Sequence, residues 1–136
     1  MGLDALVSQD NDMDVLIVES QPDLAGVWQA HLQRQGHKTE IATTADAAVA
    51  AVGRRDFDAM IVNLMLSDGS ALGLADYIRY RRPDANVVFV TDTTFFSDGS
   101  LFAHSPNVRA YVATSTPPDD LVALVEHYGS HPVTPT

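Results

Sequence analysis

Five residues in this chain stand where short apolar runs give way to polar sequence. Glu19 and Ser20 follow Val15–Val18, and Asn63 closes Ala59–Val62. Thr91 follows Val87–Val90, and Thr114 follows Arg109–Ala113. Together they offer a carboxylate, an amide and three hydroxyls. A carboxylate can hold a hard cation such as magnesium, but one carboxylate holds it poorly. A hydroxyl becomes a nucleophile only beside a base. No histidine stands at the end of an apolar run, and the chain has no cysteine. Ser20 and Ser67 are therefore read as turn serines. His31, His37, His104, His127 and His131 show no metal-ligand spacing with carboxylates. No glycine-rich phosphate-binding fingerprint is present either.

The apolar runs are four or five residues long and rich in β-branched side chains, as in strands buried on both faces. Between them lie helical stretches with recognisable punctuation. Pro22 opens a first helix that carries Leu24, Val27, Trp28, His31 and Leu32 and stops at Gly36. Lys38 to Ala42 is a short second strand. Thr44 caps a second helix through Ala47, Ala48, Ala51 and Val52. A turn at Ser67-Asp68-Gly69 precedes a third helix from about Ser70 to Tyr80, ended by Pro83. A short helix is expected around Gly99 to His104. Thr116 or Pro117 opens a last helix to about Tyr128. This alternation implies repeated βαβ units, a parallel sheet, and right-handed crossovers that put helices on both faces. In such sheets sites form at the carboxyl ends of the strands, where the five residues stand. Residues 1–12 and 129–136 read as tails around one domain at 13–128.

The chain has 136 residues, 46% of them apolar, which favours a single domain with a true core. Without cysteine it has no disulfides or thiolate chemistry. No window matches a membrane span, and MGLDALVSQDNDMD lacks a signal peptide's basic start. Leu6 stands where a myristoylation site wants Ser or Thr. A cytoplasmic location fits. The formal net charge of −10 argues against nucleic acid and anionic lipid as partners. Arg79, Arg81 and Arg82 are the one basic cluster, read as complementing a helix C-terminus. Lys38 is the only lysine.

The segments VLIVES, FDAMIVNLMLSDGSALGL, VVFVT and RAYVATSTPPDDL, in that order and spacing over about residues 13–128, resemble the bacterial response-regulator receiver family. The resemblance implies a doubly wound, flavodoxin-like sheet of five parallel strands in the order 2-1-3-4-5. It also implies an aspartate that takes a phosphoryl group from a kinase, five residues after the Asp opening the third strand. Counted from Asp58 that position is 63, and the residue is Asn. The family's acidic pair, which holds magnesium, is here Glu19-Ser20. The family's lysine falls at Thr114, and the proline before the Asp-Gly turn is Ser67. Thr91 matches the family's hydroxyl residue, and Tyr111 its switching aromatic.

An amide oxygen, neutral and delocalised, is no phosphoryl acceptor. The cation that would face the phosphoryl oxygens is missing as well. Glu19, Ser20, Asn63, Thr91 and Thr114 are thus expected to form a degenerate, hydrogen-bonded pocket with no catalytic residue, metal or cofactor. The expected function is a stand-alone, phosphorylation-independent protein-interaction module in bacterial signal transduction. Its expected partners are a histidine kinase, an output protein, another regulator, or a second copy. The resemblance implies an interaction face carrying Thr91, Phe95, Phe96, Phe102 and Tyr111. An alternative is a small-molecule sensor using the vacated pocket; another is a residual phosphoacceptor at Glu19 or Asp68.

Overall fold

The computed structural model describes residues 13–66, 71–91 and 107–129. Five strands are present: β1 (Asp14–Val18), β2 (Lys38–Ala42), β3 (Ala59–Asn63), β4 (Asn86–Thr91) and β5 (Val108–Ala113). Three described helices join successive strands, α1 (Pro22–Arg34), α2 (Ala45–Arg54) and α3 (Ala71–Arg81), and a fourth, α4 (Pro118–Gly129), follows β5. The strands pair in parallel in the order β2-β1-β3-β4-β5, as expected. The Ser67–Gly69 turn, the short helix near 99–104 and the rings of Phe95, Phe96 and Phe102 lie outside the described residues.

Side chains alternate across a strand, so each central strand feeds two cores. Leu16, Val18, Met60, Val62, Val87 and Phe89 face one side, packed with α2 and α3 through Ala48, Ala51, Val52, Leu74 and Ile78. Val15, Ile17, Ile61, Val88 and Val90 face the other, under Ala25, Trp28 and Leu32 of α1 and Leu121 and Val125 of α4. Both faces are thereby covered, which is why these strands read as unbroken apolar runs.

The punctuation acts locally as its chemistry requires. The Thr44 hydroxyl accepts the Ala47 N–H at 3.0 Å and caps α2. At the end of α1, Gly36 adopts a φ of 93°, which favours glycine. Its N–H donates to Gln33, and that of His37 donates to Leu32, closing a Schellman motif. On α1 the buried set is Ala25, Trp28 and Leu32, whereas Val27 is 43% exposed and does not belong to the inward face. The last helix runs through Gly129, which is buried where a Cβ would overlap Met13 Sδ. Beyond the end of α3, Arg82 does more than complement a helix dipole. It pairs with Asp56 at 2.9 Å and donates from Nε to the Val52 carbonyl at 3.0 Å.

Candidate functional site

The backbone stays paired just past β1, where the Glu19 N–H donates to the Ala42 carbonyl at 3.1 Å. This delivers the Glu19 side chain, 1% exposed, to the carboxyl end of the sheet. A buried carboxyl needs partners. Glu19 Oε2 accepts the Gln21 N–H at 2.9 Å, at the entrance to α1. A helix amino end favours negative charge. Glu19 Oε1 accepts from Asn63 Nδ2 at 2.6 Å.

Asn63 is the last residue of β3 and half-buried. Its Oδ1 accepts the Met65 N–H at 2.8 Å. With a carboxylate on one side and an N–H donor on the other, the amide has one sensible orientation. One strand over, Leu64 N–H donates to the Val90 carbonyl at 2.8 Å. Thr91 is buried, and its carbonyl accepts the Thr114 N–H at 2.8 Å. The structure therefore joins Glu19 to Asn63 through side chains and Thr91 to Thr114 through the main chain. Ser20 follows Glu19, partly exposed. Among the described residues, no group of three His, Asp or Glu side chains is arranged to hold a metal ion.

Tyr111 pairs in register with Phe89, and the rings lie 5.3 Å apart at 31°. Burial pushes the Tyr111 phenol above its ordinary value.

Three contacts carried no sequence signal. The main-chain donors Gln21 and Met65 could come from any residue type. The third is at the amino end of the sheet. There buried His37 accepts the Met13 N–H at Nδ1 (3.1 Å) and bonds Glu126 through Nε2 (2.7 Å). The fold also brings His31 within 3.6 Å of Asp119, so histidines with no sequence spacing to carboxylates acquire them in space.

A model of the response regulator receiver domain matches residues 15–126. The chain belongs to the response-regulator receiver family. Among similar proteins, the photosynthetic apparatus regulatory protein RegA of Rhodobacter capsulatus is 31% identical over 81 residues, 60% of this chain and 44% of that protein. The response regulator protein PilR of Pseudomonas aeruginosa is 33% identical over 76 residues, 56% of this chain and 17% of its own length. The receiver thus spans less than half the length of the curated relatives it matches. In fold it is similar to a CheY-like receiver domain protein from Methanospirillum hungatei. That similarity has a TM-score of 0.79 and 20% identity, covering 86% of this chain and 93% of the other. No described helix of this receiver is long and apolar enough to cross a membrane.

Proposed function

We propose that this receiver is a pseudo-receiver, a signalling module that works through protein contacts and takes no phosphoryl group. The observation that carries this reading is the Asn63–Glu19 hydrogen bond at 2.6 Å. At the position where the family's aspartate would attack stands an amide that donates to a buried carboxylate. The carboxamide nitrogen is a donor, and its oxygen is engaged by Met65 N–H. Neither is a nucleophile towards phosphorus.

The family implies a magnesium ion at this end of the sheet, and the described residues do not fit one. Magnesium asks for near-octahedral oxygen ligands and usually at least one free carboxylate. Glu19 is the buried acid here, and both its oxygens accept hydrogen bonds. Thr114, at the position of the family's lysine, brings no positive charge. We therefore read Glu19, Ser20, Asn63, Thr91 and Thr114 as a degenerate pocket within a domain spanning about 13–128. We place the partner-binding face around Thr91, Tyr111, Phe95, Phe96 and Phe102. A cytoplasmic signalling protein or a second copy is the partner class.

The test is exposure to acetyl phosphate and magnesium, and to candidate histidine kinases, followed by intact mass and sedimentation. The expected result is no phosphoryl adduct and an unchanged sedimentation coefficient. A stable adduct would overturn the reading.

A further inference from the structure

We infer that Asn63 does the positional work of a divalent cation, tying the carboxyl ends of β1 and β3 together by hydrogen bonds alone, so that the pocket neither needs nor takes magnesium. The inference deepens the preceding reading of the same pocket and rests on it for the role of position 63.

The argument starts from a buried acid. Glu19 is 1% exposed and sits one residue past β1, in line with the end of β3 beside it. Burial of a carboxylate is costly unless charge or hydrogen bonds compensate it. Two means are available at a strand end: a bound cation, or donors supplied by the chain. Here donors meet both oxygens, the Gln21 N–H at 2.9 Å and Asn63 Nδ2 at 2.6 Å. The second is short, as hydrogen bonds to ionised acceptors are. Its partner Asn63 is itself fixed by Met65 N–H at 2.8 Å, so the donor is held in place rather than borrowed from a mobile side chain. A cation approaching Glu19 at Oε1 would compete with the Asn63 amide and would meet its N–H side, which repels it. The side chain that satisfies Glu19 is thus also the one that disfavours the metal.

An aspartate at position 63 would reverse both effects. Two carboxylates at this separation cannot both ionise comfortably unless a proton or a cation lies between them. Asn63→Asp should therefore be destabilised in chelator and stabilised by magnesium, whereas the parent chain should be indifferent to the ion.

The experiment is thermal unfolding of the full chain at neutral pH and constant ionic strength, with chelator or with magnesium chloride replacing an equivalent of sodium chloride, so that screening of the net charge does not change. It follows fluorescence of Trp28, the only tryptophan and a buried one, and compares the parent, Asn63→Asp and Asn63→Ala. The parent Tm is expected to stay within about 1 °C throughout. For Asn63→Asp a fall of about 3–5 °C in chelator is expected, the scale set by one lost interaction of about 1 kcal/mol in a domain of this size. Magnesium should then return Tm with a logarithmic dependence on concentration. Asn63→Ala should lose stability and regain little of it with magnesium, because it removes the amide but leaves a single carboxylate to hold the ion. A saturable rise of the parent Tm with magnesium would overturn the inference. So would an Asn63→Asp chain that is as stable as the parent in chelator, or one that magnesium fails to stabilise. If Asn63→Asp does not fold, the parent titration decides alone. Failure here is separate from failure of the pseudo-receiver reading, which is scored by covalent mass on the parent chain.

Discussion

The Tyr111 ring lies against Phe89 in the core that also holds α2 and α3, and its phenol is drawn out of water with it. Desolvation disfavours the phenolate, so the folded chain holds this proton to higher pH than the unfolded chain does. A raised folded value means that the stabilisation is complete below the ordinary phenol value of 10.0 and is lost as pH rises through the folded value. We expect urea stability to fall in that alkaline window and Tyr111→Phe to remove part of the fall. Tyrosinate absorbance should show one of the four tyrosines titrating late in the parent and not in the variant. Identical alkaline profiles for the two proteins would count against this assignment.

Among elements, the turn between α3 and β4 is tied to β5 by one side chain. Buried Asn107 directs Nδ2 at the carbonyls of Ala85 (2.7 Å), Pro83 (3.0 Å) and Arg82 (3.4 Å), and its own carbonyl accepts Val87 N–H. Removing that donor should cost about 1–3 kcal/mol. Asn107→Asp should cost more than Asn107→Ala, because it turns a carboxylate towards three carbonyl oxygens. Urea denaturation of the two variants checks the order; an Asn107→Asp chain as stable as the parent would refute it. Elements like these were largely legible beforehand, since strands covered on both faces must be apolar throughout and Pro22, Gly36 and Thr44 mark helix ends by fixed stereochemistry. The facing of α1 was less so. Val27 and Trp28 are adjacent and both apolar, and only the packed fold shows that Trp28 turns inward. Strand-end position brought Glu19 and Asn63 into view, but nothing in the sequence said that these side chains, 44 residues apart, bond each other. The His37–Glu126 contact, across 89 residues, was equally hidden.

For the molecule as a whole, charge is the dominant long-range term. A net charge of −10 disfavours compactness through self-repulsion. Against it stand exposed or half-exposed pairs such as Arg54–Glu40, Arg55–Asp14 and Arg82–Asp56. Each is worth only about 0–1 kcal/mol. Screening should relieve more repulsion than it costs in pairs. Raising ionic strength from a few millimolar to about 0.15 M, where the Debye length is about 8 Å, should raise Tm by a few degrees. A fall in Tm would show that the pairs dominate. The meeting of Met13 with Gly129, described above as a tight steric contact, has a topological corollary. Met13 and Gly129, the outer limits of the described residues, lie together at the opposite pole from Glu19 and Asn63. Positions this near can be bridged by a short engineered link, and the polypeptide opened at an outer turn instead. Such a rearranged chain would keep strand order, register and the Glu19–Asn63 tie, because none of them depends on where the thread is cut.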